Sequence, residues 1–163
     1  MEVKEKTINK LGFDNKDKTQ LTKKLNLLIA SYHVHYQKLR NFHWNVEGEN
    51  FFELHEKFEE LYNFSKVNID DIAERIRVFG DRPMASLQEY LEYSNIKEPN
   101  GIPDSNEMVI SILGDFEILI KQMVDALDFA NQIGDVSTID LLTQTLKQTE
   151  KYFWMFRSFV SQN

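Results

Sequence analysis

Five side chains in the first half of the chain carry donor types that suit a borderline divalent metal such as iron: His43, His55, Glu59, Asp70 and Glu74. His55 with Glu59, and Asp70 with Glu74, are spaced i, i+4, so each pair lies on one face of a helix. With His55 at 0° and about 100° per residue, Glu59 falls near 40°, Asp70 near 60° and Glu74 near 100°. The apolar stripe of Leu54, Phe58, Leu61, Ile69, Ile72 and Ile76 falls at roughly −40° to −120°. The polar set therefore forms its own face beside the core stripe. His55 and Asp70 are fifteen residues apart, about 22 Å on one helix. Metal–ligand bonds are about 2 Å long, so the two cannot share one ion within a chain. Either the chain holds two half-sites, or two chains pair antiparallel and each completes the other's site. His43 can approach His55 from the preceding helix across a tight hairpin. The residues three before the four histidines are Ala30, Tyr32, Arg40 and Phe52. None is Glu, so the paired Glu-x-x-His motif of a buried two-metal bundle centre is missing. Two plainer readings compete: His43 as a core histidine, and Asp70 and Glu74 as a solvated face pairing with Lys66 and Arg77.

Four long helices must position these groups. The first follows Leu21, Leu25, Leu28, Tyr32, Tyr36, Leu39 and His43 and ends near Asn45, with Gly48 marking the turn. The second runs from about Phe51 to Phe79, closed by Gly80 and Pro83. Residues 81–103 form a long crossover in which Ser86–Tyr93 predicts a short helix. Asp104 with Glu107 resembles a capping box for the third long helix, through Met108, Ile112, Asp115, Leu119 and Met123 to Ile133. The fourth begins near Ser137 or Thr138 and passes Leu141, Leu146, Phe153 and Phe156. Two hairpins joined by one long crossover predict an all-α, ferritin-like four-helix bundle carrying a short helix between helices two and three. Residues 1–20 mix charges without an apolar stripe and read as a mobile N-terminal arm; residues 21–163 read as the bundle domain.

At 163 residues and 42% hydrophobic, the chain suits a single core. It has no cysteine, which excludes disulfides, zinc–thiolate sites and thiol catalysis. No apolar run predicts a membrane span, and the start lacks the apolar core of a signal peptide, so the expected location is cytoplasmic. The net charge of −7 favours cations over nucleic acid. Residues 1–24 hold seven lysines and four acidic residues, which keeps a DNA-compacting arm as the alternative function.

Phe42-His43-Trp44-Asn45, the segment Phe51-Phe52-Glu53-Leu54-His55-Glu56 and Asp70-Asp71-Ile72-Ala73-Glu74-Arg75 resemble the Dps family of mini-ferritins, named for DNA protection during starvation. The resemblance implies a hollow homo-oligomeric shell, a dodecamer with two-fold dimer interfaces. It implies ferroxidase activity: Fe(II) oxidised, usually by hydrogen peroxide, and stored as Fe(III) mineral. By that analogy each inter-subunit site takes two iron ions, with His43 and His55 from one subunit and Asp70 and Glu74 from its partner. Glu59 stands where many members have Asp and would assist a second iron or a water. Trp44 matches a family tryptophan close to the site, a one-electron donor that limits radical escape. Tyr62, Phe64 and Phe79 read as packing rather than electron relays, and Trp154 reads as core. His33 and His35 match no family ligand and read as surface or interface histidines. Asp135 and Asp140 read equally as acidic pore residues or as helix capping and ordinary exposure.

Overall fold

The computed structural model describes residues 11–160. Among them are five helices and no strand: α1 Asn15–Asn45, α2 Phe51–Val78, α3 Leu87–Tyr93, α4 Ser105–Gln132 and α5 Val136–Val160. α1 packs along α2 and α4, and α4 along α5, giving the four-helix bundle the sequence predicts. The short α3 lies against α1 within the crossover. No helix among the described residues is long and apolar enough to cross a membrane.

The helix ends follow local chemistry. Asp104 accepts from the Glu107 amide at 2.9 Å, and Glu107 accepts from the Asp104 amide at 3.2 Å, so the capping box is complete. Ser86 and Glu89 make a second box at α3. Glu89 also accepts from Arg82 and the Ala85 amide. Those bonds, Arg82 first, hold its carboxyl down to about 2. Gly80, after α2, has φ +86°, a left-handed position that glycine takes without steric penalty. α1 begins earlier than its apolar stripe suggests. Asp14 caps it by accepting from the Asp17 amide at 2.8 Å, so residues 15–20 of the expected arm are helical. Residues 1–10 of that arm lie outside the described residues.

The core has two apolar clusters. One is built around Leu25, Ile29, Ile76, Met123 and Ala126, the other around Leu39, Phe42, Phe58, Ile112 and Phe156. Between them each long helix contributes buried polar side chains: His35 and Lys38 from α1, Ser65 and Asn68 from α2, Asp115 from α4, and Thr145 and Thr149 from α5. Lys38 Nζ donates to Asp115 at 2.6 Å, and His35 Nδ1 donates to the other carboxylate oxygen at 2.9 Å. Thr145 donates to Asn68 Oδ1 at 3.0 Å. This corrects the surface reading of His35, which is 1% exposed in the bundle interior. Its acceptor lies eighty residues away on another helix, beyond the reach of local pattern.

Asp135 is buried. It caps α5 by accepting from the Thr138 amide at 3.1 Å and ties α5 to α2 through Arg75 at 2.6 Å. Its capping reading is thus the one the structure favours, whereas Asp140 is exposed.

His33 is half-buried and stacks on Tyr90 of α3, ring centroids 3.7 Å apart. Burial pushes its pKa down from 6.5 to about 4. In that window the unfolded chain binds a proton that the folded chain does not, so stability falls as pH drops from 6.5 towards 4. His33→Phe keeps a stacking ring without a titrating group. It is expected to remove pH dependence on the order of 1 kcal/mol, discounted because the ring is partly solvated. Urea midpoints at pH 7 and pH 5, at one protein concentration, check this. Equal slopes in both proteins would count against His33 as the titrating group.

Candidate metal centre

The α1–α2 hairpin sets the two histidines face to face. The Val46 amide closes α1 by donating to the Phe42 carbonyl at 2.8 Å. Gly48, at φ +99°, makes the turn that reverses the chain. α2 then starts at Phe51, placing His43 in the last turn of α1 beside His55 in the second turn of α2.

The imidazoles are stacked, with centroids 3.8 Å apart and planes 19° from parallel. His43 Nδ1 donates to the His55 carbonyl at 2.7 Å, and His55 Nδ1 donates to the His43 carbonyl at 2.8 Å. Carbonyl oxygens only accept, so each Nδ1 carries a proton, and in the neutral ring the lone pair is on Nε2. Metal-binding histidines are held in this way, with the second nitrogen tied to a backbone carbonyl. The bonds are reciprocal, so the same pair that orients the rings also staples the two helices.

Aromatic rings enclose the stack. Phe51 stacks on His55 with centroids 5.0 Å apart, and Tyr62 meets His43 edge-on at 5.4 Å. His43 is buried and His55 half-buried. Partial burial first, and the neighbouring Glu59 carboxylate second, raise the Tyr62 phenol above its ordinary range. Tyr62 also packs against the second apolar cluster, as the sequence suggests. At about 100° per residue Tyr62 sits near −20° from His55, between the apolar stripe and the polar face. Trp44 is 59% exposed, with the Arg40 guanidinium 4.8 Å from its ring centroid.

Glu59, Asp70 and Glu74 are exposed along α2. The expected competitors do not hold them: Arg77 donates to the Asp81 carbonyl at 2.7 Å, and no ion pair among the described residues joins Lys66 or Arg77 to Asp70 or Glu74. α2 is unbroken from Phe51 to Val78, so the separation of His55 from Asp70 stays at about 22 Å. Among the described residues one chain gathers no three such donors around a common point. The structure brings together His43 and His55, places Glu59 one turn beyond His55, and leaves Asp70 and Glu74 as a second carboxylate group farther along α2.

A family model for the ferritin-like domain matches residues 22–162. DNA protection during starvation protein 2 from Bacillus anthracis is 42% identical over 143 residues, 88% of this chain and 98% of that one. A DNA protection during starvation protein from Brevibacillus brevis is 44% identical over 136 residues, 83% and 91% of the two chains. The crystal structure of a Dps protein from Vibrio cholerae O1, described as a member of a broad superfamily of ferritin-like diiron-carboxylate proteins, superimposes with a TM-score of 0.90. It is 38% identical and covers 93% of this chain and 96% of its own.

Proposed function

Because this chain belongs to the Dps family of ferritin-like proteins, we propose that it is a cytoplasmic ferroxidase and iron store whose oxidation sites are shared by two subunits. The observation that carries the reading is the stacked His43–His55 pair, with both Nδ1 atoms bonded to carbonyls, so that Nε2 is the ring nitrogen each can offer a metal. Two imidazole nitrogens and nearby carboxylates suit Fe(II) better than a hard cation such as Mg²⁺. A two-fold axis perpendicular to α2 lays two copies of the helix antiparallel, brings the partner's Asp70 and Glu74 to this pair and repeats the arrangement at the other end. Glu59, one turn from His55, assists the second iron. Twelve subunits enclose the mineral.

In the reaction two Fe(II) ions each give one electron to one hydrogen peroxide. The O–O bond breaks, two protons are taken up, and two waters leave with two Fe(III). The carboxylates stabilise the higher charge of Fe(III), and the acidic shell draws in fresh Fe(II). This chemistry gives a reason for the relatives' names that does not depend on binding DNA: removing Fe(II) and peroxide together prevents the radical damage they cause. At net −7 per subunit, direct adhesion to DNA is electrostatically opposed.

An anomalous-difference map of crystals soaked in Fe(II) without oxygen tests the site. Iron is expected within bonding distance of His43 and His55 of one chain and of Asp70 and Glu74 of another. Iron bound only within single chains would sink the shared site. Peroxide added to the loaded shell is expected to be consumed at about one molecule per two Fe(II), because it accepts two electrons and each iron supplies one.

A further inference from the structure

Of the two histidines at the proposed centre, His55 is the less enclosed: His43 is buried, whereas His55 is half-buried. One bond, from His55 Nδ1 to the His43 carbonyl at 2.8 Å, fixes where that nitrogen lies. It leaves the ring free to turn about the line of the bond, and turning swings Nε2. Contact on both flat faces prevents this. His43 supplies one contact, with centroids 3.8 Å apart. Phe51 supplies the other, its ring lying over His55 at 5.0 Å with planes 24° apart. Two rings on the same face of His55 would also meet each other, and among the described residues no ring contact joins Phe51 to His43.

Phe51 is itself well anchored. It is the first residue of α2, four before His55, so the two share a helix face. Its amide donates to the Gly48 carbonyl at 3.1 Å. Its ring packs against the second apolar cluster and meets Phe52 edge-on at 5.2 Å. Phe52, by contrast, is 82% exposed. The Phe51 ring has no donor atom for a metal, so what it can contribute is orientation.

We propose that Phe51 is a positioning residue for iron binding, which clamps His55 from the face opposite His43 and holds its Nε2 in one direction; this rests on the iron-oxidising reading above. Ordering the ring before the metal arrives removes that cost from binding. The gain falls on Fe(II) affinity and not on electron transfer once both ions are bound, so it acts on KM and leaves kcat unchanged.

Assembled shells are titrated with Co(II) without oxygen, followed by its visible absorption, and are assayed separately with Fe(II) and hydrogen peroxide. Phe51→Leu keeps an apolar side chain and loses the flat ring. It is expected to weaken Co(II) binding and raise KM for Fe(II) about tenfold, the size seen when the partner of a metal-binding histidine is removed, with kcat within about twofold. Phe51→Tyr keeps the ring and is expected to restore both. Phe52→Leu removes a neighbouring ring and is expected to change neither. Unchanged Co(II) affinity in assembled Phe51→Leu, a loss confined to kcat, an equal loss in Phe52→Leu, or no recovery in Phe51→Tyr overturns the proposal. Size-exclusion chromatography reads assembly. If Phe51→Leu does not assemble, wild-type crystals soaked in Co(II) decide: the Phe51 ring is expected to lie flat on metal-bound His55, and a ring turned away overturns the proposal. His55→Ala separates the two readings. If it loses Co(II) and Phe51→Leu does not, Phe51 alone is wrong; if it binds Co(II) as the wild type does, the metal centre fails as well.

Discussion

Asp115→Ala is expected to destabilise the protein by about 3 to 5 kcal/mol, because it leaves the Lys38 ammonium buried without its counter-ion. Asp115 is 3% exposed and answers two groups from α1, Lys38 at 2.6 Å and His35 at 2.9 Å. Deleting its carboxylate removes both acceptors and opens a small cavity at the α1–α4 contact. Replacing all the polar partners together behaves differently. His35→Phe, Lys38→Met and Asp115→Leu in one chain leave no buried charge, and most of the lost stability is expected to return. Urea unfolding at fixed protein concentration reads both, since an oligomer's apparent stability depends on concentration. If Asp115→Ala lowers stability by less than about 1 kcal/mol, the pair is not desolvated in the assembled protein.

That cluster marks where sequence reading stops. The helices were legible because each combines an apolar stripe with a capping signal, as Asp104 with Glu107 at α4 and Gly80 after α2. The start of α1 was missed because residues 15–20 are all polar; only the Asp14 cap betrays it. Asp115 was visible as a charge inside the apolar stripe of Met108, Ile112 and Leu119, which signals a buried partner without naming it. The partners lie 77 and 80 residues away, and periodicity carries no information across that separation.

At the site the division is similar. Residue type and spacing picked out His43, His55, Glu59, Asp70 and Glu74, and the 22 Å estimate along α2 followed from helix rise alone. The reciprocal bonds between the histidines could not be read, because their acceptors are backbone carbonyls that every residue possesses. These bonds fix the orientation of both rings, which mere nearness of two histidines would not do. Tyr62 lay between the two faces by angle, and an aromatic residue there reads first as packing. Only its contact with His43 separates it from Phe58 or Phe64.

Shells made of His55→Ala chains and shells made of Asp70→Ala chains are each expected to lose iron oxidation by at least about tenfold to a hundredfold, since even outer-shell changes have effects of that size. A mixture of the two chains is the more searching case. In a dimer of one His55→Ala and one Asp70→Ala chain, one site carries both defects. The other receives His55 from the second chain and Asp70 from the first, so its ligand set is complete. With random pairing of equal amounts, half the dimers are mixed, and about a quarter of all sites are intact. Unfolding and reassembling the variants together is thus expected to restore about a quarter of the wild-type rate of ferric absorbance, although neither parent shell oxidises iron efficiently. If each site were built within one chain, no mixed dimer could contain an intact site, and reassembly would restore nothing. The recovered activity therefore measures the sharing of ligands, independently of how much either side chain contributes to stability. It also ties the proposed chemistry to assembly: His43 and His55 are held by bonds within one hairpin, and in the proposed function the carboxylates that complete the site belong to a second subunit.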